Sequence, residues 1–398
     1  MVNLFFVAFG AITGSFTGLI PGIHPNLLIP FSTILLPYFG QTNYFGFLMG
    51  LVISHYFLNY IPSAFIGVPD SESAVSSIPM HKLTKDGKGY EAVILAGMGG
   101  FLGIIFSSIL FLIIFTLNLD LNSIYGILKP FLPYILIILI FTSIIFSKNK
   151  FWTFLVILFS GTLGISVFYI NPSYNNTMAV LFTGMFGIPF LITNLGRKKL
   201  GYQYMSFPKL NGSYLKSVVF GTIGGFLRIF IPATGGAQIN YFLSKLIKEE
   251  NIENFIVSQG AITLSNELFS ILALVLIGTG RSGIAETIKN LNLEYTAFDI
   301  FGSIFLASGL SLLFLSTASK YVLKNINRYN YGDISKYLII FCTFLIFLLT
   351  FNNYFTYHAV IYIVSISIGI ICIKKQVNMS NMMSVLIFPT IFYFLGIY

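Results

Sequence analysis

Charge is nearly missing from this chain: 9% of its 398 residues are Asp, Glu, Lys or Arg, and 56% are hydrophobic. A soluble domain carries roughly a quarter charged residues, so most of this surface cannot face water. Cysteine is as scarce. Cys342 and Cys372 both lie in apolar segments without metal-type spacing, which argues against a disulfide framework or a zinc site and reads as buried, inert thiols. Enzyme motifs are missing as well. There is no His-Glu-x-x-His, no Gly-x-Ser-x-Gly, no phosphate-binding glycine loop ending in Lys-Ser/Thr, and no clustered Cys/His set. An intramembrane enzyme acting through Asp70, Glu72 or His55 is disfavoured on that ground, and no cofactor is expected. No basic n-region or small-residue cleavage site precedes the first apolar stretch, so a removed signal peptide is not expected either.

Long apolar runs take the place of charge. Residues 43–66, 92–117, 151–170 and 296–317 each reach the roughly 20 helical residues that a bilayer crossing needs. The chain therefore reads as an all-α, multi-pass integral protein of the cell membrane, with its 43 Phe and 23 Tyr on a lipid-facing perimeter. The net charge of +9 sits in short loops between apolar segments, so it reads as a topology signal rather than a nucleic-acid surface. The basic stretches are 81–88, 148–150, 197–209, 320–336 and 374–375. Two apolar segments separate the first from the second and two more the second from the third, which puts all three on one side, the cytoplasmic one.

The chain also contains itself twice. An offset of 211 residues lays Phe9-Gly10-Ala11-Ile12-Thr13-Gly14 on Phe220-Gly221-Thr222-Ile223-Gly224-Gly225. Without a gap it then brings Pro21 onto Pro232, Ser54 onto Ser265, Gly67 onto Gly278 and Ser71 onto Ser282. The expected copies are 1–210 and 211–398. Each reads as a broken pair of segments (2–20 with 27–39; 216–231 with 238–246) followed by five crossings. Five is odd and a pair that enters and returns keeps its side, so the second copy should be inserted upside down. Inverted repeats with matching Gly/Pro breaks point to a secondary transporter whose substrate sits at the breaks, near the midplane.

The first break reads Ile20-Pro21-Gly22-Ile23-His24-Pro25-Asn26 and the second Ile231-Pro232-Ala233-Thr234-Gly235-Gly236-Ala237-Gln238. Proline removes helix donors and glycine admits unusual backbone, so each break frees polar groups that protein, water or a ligand must satisfy. Helix N-termini there would favour an anion. A plain kink or surface loop is the alternative for one break alone; two at one offset favour a site. Pro21, Gly22, His24, Asn26, Pro232, Thr234, Gly235 and Gly236 are the expected substrate-binding residues. A second matched pair, Gly67–Ala74 and Gly278–Ala285, adds Ser71, Arg281 and Ser282, with Asp70 and Arg281 at equivalent positions and of opposite charge. Two unrelated surface turns are the alternative reading. Ionisable residues inside apolar segments usually face a pathway. Arg228 suits an anion, while Asp70, Glu72, Asn266 and Glu267 suit a coupling sodium ion or proton.

These breaks carry a resemblance. The run Gly10-Ala11-Ile12-Thr13-Gly14-Ser15-Phe16-Thr17-Gly18-Leu19-Ile20-Pro21-Gly22-Ile23-His24-Pro25-Asn26 resembles the first signature of the large permease subunit of tripartite tricarboxylate transporters. Gly67-Val68-Pro69-Asp70-Ser71, the 79–89 stretch and Phe230-Ile231-Pro232-Ala233-Thr234-Gly235-Gly236 through Glu249 are similar to later parts of that family. The resemblance implies an organic-anion permease working with a small membrane subunit and an extracytoplasmic solute-binding protein. The family usually shows Pro-Gly in both breaks and a second Gly-x-Pro-Gly-Ser loop. Here Pro232 is followed by Ala233, and Gly278-Thr279-Gly280-Arg281-Ser282 has lost that proline, as in a divergent branch. A carrier of a lipid-linked phosphate (polyprenyl phosphate type), using the same breaks for its headgroup, is the competing expectation.

Overall fold

A computed structural model describes residues 1–20, 25–67, 77–170, 174–196, 201–209, 211–247, 249, 251–326, 330–351 and 354–397. Its regular structure is helical. The chain opens with α1 (Leu4–Gly18), α2 (Pro25–Ser32), α3 (Leu36–Phe39), α4 (Gln41–Leu58), α5 (Tyr60–Phe65) and α6 (Ser77–Lys85). It continues through α7 (Gly89–Thr116), α8 (Leu121–Leu128), α9 (Leu132–Ile145), α10 (Lys150–Ile170), α11 (Tyr174–Phe182) and α12 (Ile188–Thr193). After residues 201–212 come α13 (Ser213–Leu227), α14 (Gly236–Leu246), α15 (Ile252–Ile277), α16 (Gly283–Asn290) and α17 (Ala297–Asn325). The last three are α18 (Tyr331–Thr350), α19 (Phe355–Lys374) and α20 (Ser384–Phe394).

Seven helices among the described residues are long and apolar enough to cross a membrane: Gln41–Phe65, Gly89–Thr116, Leu121–Ile145, Lys150–Tyr169, Ile252–Ile277, Ala297–Asn325 and Phe355–Lys374. They are apolar on all sides because each meets either lipid or other helices. Helix α8, a short 3-10 turn and α9 run on as one crossing, Leu121–Ile145, the second of the two apolar segments between the basic stretches 81–88 and 148–150. Pro130 and Pro133 fall in the first turns after each joint, where their missing N–H groups cost nothing.

Two ends of the bundle are tied by different sets of helix starts. At one end Val2 N donates to Asp299 Oδ1 (2.6 Å) and Asn3 N to Asn43 Oδ1 (3.0 Å), so α1, α4 and α17 begin together. Asp299 also completes a capping box with Thr296 at the start of α17. At the other end Tyr214 Oη donates to Glu253, and Glu91 and Tyr214 line one cleft, so α7, α13 and α15 begin together.

Packing gathers these helices around two hydrophobic cores. The first is built by α1, α4, α5, α7, α13, α15 and α17. The second is built mainly by α10, α11, α12, α19 and α20, with α9 and α18. Leu28, Ile66 and Ile231 pack against both, so they mark the seam. Within the first core α1 lies on α4, α13 on α15, α7 on α15 and α17 on α4. Backbones come close there: a Cβ at Gly10 would lie 2.1 Å from the Phe47 carbonyl oxygen, and one at Gly221 2.4 Å from that of Ser258. Cys342 and Cys372 are both buried.

Candidate functional site

The second break is a real interruption. The helix α13 ends at Leu227, residues 228–235 run as turns, and α14 restarts at Gly236. Leaving the helix at Arg228 frees backbone carbonyls inside the protein, and two arginines take them. Arg228, 7% exposed, donates from Nε to the Thr234 carbonyl at 3.1 Å. Arg281 donates from Nε to the Ile229 carbonyl at 2.8 Å. Thr234 Oγ1 closes back on the Ile231 carbonyl at 2.9 Å. Pro232 leads into Ala233, which stands at φ 63°, the left-handed region that disfavours any residue with a Cβ. Gly235 is the N-cap of α14 and supplies no side chain to cap it.

The loop after α15 reaches this break. Gly278 caps α15 at φ 76°, and its repeat equivalent Gly67 stands at φ 74°. Both positions need the conformation that glycine adopts at no steric cost. From there Arg281 N donates to Ser270 Oγ at 2.7 Å, and the guanidinium lies 4.9 Å from the ring centre of Tyr125 on α8. These contacts use only part of the arginine. Arg281 Nη2, Ser282 Oγ and Thr279 Oγ1 are buried with no hydrogen-bond partner among the described residues. Ser282 is the N-cap of α16, yet its hydroxyl does not cap. A cationic donor, two hydroxyls and a helix start thus fall within residues 279–283 with these atoms unsatisfied among the described residues, a set suited to a carboxylate or phosphate oxygen.

The expected ion-coupling pair lies three to four residues before Ser270. Glu267 is 2% and Asn266 3% exposed, and Asn266 Nδ2 donates to Glu267 Oε1 at 3.2 Å. They belong to a buried polar stripe on α15 with Ser258, Gln259 and Thr263, where Ser258 Oγ bonds Asn240 of α14 (2.8 Å) and Asn240 bonds Gln259 (3.0 Å). In the first copy His55, the equivalent of Asn266, meets Thr17 Oγ1 at 3.0 Å. Pro21, Gly22 and His24, with Asp70, Ser71 and Glu72, lie outside the described residues, as does the side chain of Asn26. The break that contains Pro21 is bounded by α1 and α2, and Ile20 and Leu28 on its two sides both pack against the second core.

Sequence reasoning missed Thr279, Tyr125 and the residues that extend Asn266 and Glu267 into a polar stripe along α15. The stripe was findable, because Asn254, Ser258, Thr263, Asn266, Glu267 and Ser270 recur at spacings of one to five along one helix. Tyr125 carried no signal, being far from Arg281 in the chain. Among the described residues no three His, Cys, Asp or Glu side chains gather as a metal site.

Comparison with known proteins bears on both halves of the chain. Residues 4–384 match the family described as "Tripartite tricarboxylate transporter TctA family". The chain is similar to the uncharacterized protein MJ1079 of Methanocaldococcus jannaschii, at 48% identity over 396 residues, covering 99% of this chain and 100% of that protein. No solved structure matches it.

Proposed function

The chain belongs to the tripartite tricarboxylate transporter TctA family, and on that premise we propose that it is a secondary active permease for a di- or tricarboxylate, coupled to sodium or protons. One observation carries the reading: Arg228 and Arg281 both bind carbonyls of the break at 228–235, and beside it donors at Arg281, Ser282 and Thr279 have no partner among the described residues. In the proposed site one carboxylate of the substrate accepts from Arg281 Nη2 and Ser282 Oγ. The start of α14 at Gly236, close to Pro232, Thr234 and Gly235, faces a second carboxylate. Glu267 with Asn266 takes the coupling cation. Family membership also leads us to propose a small membrane subunit and an extracytoplasmic binding protein as partners.

Two inverted copies, 1–210 and 211–398, belong to the same proposal. The equivalent helices α1 and α13 start at opposite ends of the bundle, as do α4 and α15, and α7 and α17. The Gly10–Phe47 and Gly221–Ser258 approaches are the same contact shifted by the repeat offset. Helices α1 and α13 each have 15 residues, so each runs about 22 Å inward. Starting from opposite faces of a structure whose long helices span about 40 Å, α1 and α13 both end near the middle, which supports the reading.

Uptake into proteoliposomes tests the function. A radiolabelled tri- or dicarboxylate should accumulate under an inward sodium or proton gradient. Arg281→Gln should lose about tenfold to a hundredfold in apparent affinity, the effect of one charge-assisted hydrogen bond. Binding of polyprenyl phosphate in place of any carboxylate, or an unaltered affinity in folded Arg281→Gln protein, would refute the reading.

A further inference from the structure

The segment that joins the two copies exposes aromatic side chains where a water-facing linker would not. Tyr202, Tyr204 and Phe207 are 74%, 59% and 59% exposed, and Met205 between them is 53% exposed. They are held outward by a docked backbone. Tyr204 N donates to the Gly87 carbonyl (2.8 Å), Gln203 Nε2 to the Thr84 carbonyl (2.8 Å), and Gly89 N to Gln203 Oε1 (3.2 Å). Depth explains the exposure. Helices α7 and α15 have 28 and 26 residues, about 42 and 39 Å, against a hydrocarbon layer of about 30 Å. Their first turns, beside this segment, therefore stand at headgroup level, where Tyr side chains and lysines such as Lys82, Lys85 and Lys88 are at home.

Under the segment lies a cleft of about 610 Å³, lined by both signs of charge: Lys88 and Lys209, Glu91 and Glu253. Glu91 is engaged, by Lys88 at 3.8 Å and by Ser206 Oγ at 3.1 Å. Among the described residues no cation pairs with Glu253; its carboxylate accepts from the neutral Tyr214 hydroxyl. Lys209 is exposed and, among the described residues, forms no ion pair. One open cation and one open carboxylate thus face the same cleft, at headgroup depth, with Phe207 on its rim. We propose that this cleft is a binding site for the headgroup of an aminophospholipid. Lys209 and Lys88 take the phosphate, Glu253 takes the primary ammonium, and the acyl chains lie over Phe207 and Tyr204. The assignment depends only on the chain's lying in a membrane and stands apart from the carboxylate site.

Thermal unfolding of the purified full chain in detergent tests it, with dioctanoyl phosphatidylethanolamine, phosphatidylglycerol and phosphatidylcholine, and with free phosphoethanolamine. Phosphatidylethanolamine should raise the melting temperature at a lower concentration than either other lipid, and free phosphoethanolamine should act only at far higher concentration. Glu253→Gln should erase the preference over phosphatidylglycerol. Lys209→Gln should weaken all three lipids about fivefold, the upper end for an exposed ion pair. Phe207→Ser should weaken the lipids and leave the free headgroup unchanged. Phosphatidylglycerol binding as tightly as phosphatidylethanolamine, or no response to any lipid, overturns the proposal. Free phosphoethanolamine matching the lipid overturns it too, in favour of a soluble zwitterion. If Glu253→Gln does not fold, the lipid ranking on the unaltered chain and the Lys209→Gln result decide alone.

Discussion

At the scale of single residues, Ala233 shows what a side chain costs in the turn of the second break. It occupies a left-handed conformation immediately after Pro232, the position where a Pro-Gly pair would fit without strain. A Cβ there costs about 1–2 kcal/mol, and a glycine loses about 0.4–1 kcal/mol through the freer unfolded chain. Ala233→Gly should therefore raise stability by up to about 1 kcal/mol, seen as a higher melting temperature, whereas Ala233→Val should lower it. Equal melting temperatures for all three would mean that the turn relaxes to suit any residue. Glu267 gives a second test. If it holds the coupling cation, Glu267→Gln should keep substrate binding and lose the dependence of uptake on sodium or pH; unchanged dependence would remove it from the proposed site. Both residues were visible in the sequence, Ala233 as a missing glycine and Glu267 as a charge within an apolar run. What could not be read was that Arg228 and Arg281 spend their Nε atoms on break carbonyls, since that depends on a turn geometry reached across 52 residues of chain.

At the scale of elements, legibility followed from local chemistry. The second break was expected from Pro232 and its neighbouring glycines, and the structure ends the helix before the proline, at Leu227, where Ile229 N and Phe230 N bond three residues back, to Phe226 and Leu227, instead of four. The π-helical turn at Thr183–Gly187 gave no sign in the sequence; helix bulges depend on packing, here inside the second core, rather than on propensity. Small residues at helix crossings were legible as repeated glycines, though not what they touch. Gly10 and Gly221 now have a stated role: each lets one helix approach the carbonyls of the next, Phe47 and Ser258. Alanine at either position would meet backbone, which cannot swing aside as a side chain can. Gly10→Ala and Gly221→Ala should each destabilise by about 1–3 kcal/mol or more. Gly302→Ala and Gly126→Ala, where an added Cβ meets nothing within 4 Å, are the controls and should not destabilise. Thermal unfolding of the four variants checks this, and equal losses in all four would show that close approach is not the cause.

At the scale of the whole molecule, the repeat was in the sequence and the division into two cores was not. Periodicity says which segments are apolar, but not which of them share a core. The two cores cut across the copies: the early helices of both, α1, α4 and α7 with α13, α15 and α17, build one, and the late helices of both build the other. Ile231 of the second break, with Leu28 of α2 and Ile66, touches both cores at the seam. A substrate held at such a seam is reached from one face or the other by small shifts of one core against its partner, which is the geometry alternating access requires. Inversion of the copies is the premise of that picture and has its own test. Lys85 lies at the end where α7 and α15 begin, beside the basic residues assigned to the cytoplasm. Lys289, whose Nζ donates to the Gly278 carbonyl at 2.8 Å, lies beyond the far end of α15. A helix of 26 residues, about 39 Å long, stands between them. Single cysteines at Lys85 and Lys289, in a chain with Cys342 and Cys372 replaced, should therefore react with a membrane-impermeant thiol reagent from opposite sides. Lys289→Cys should label in intact cells, and Lys85→Cys only after the membrane is opened. Labelling of both from the same side would break the inverted arrangement and, with it, the placement of the two breaks at a common depth.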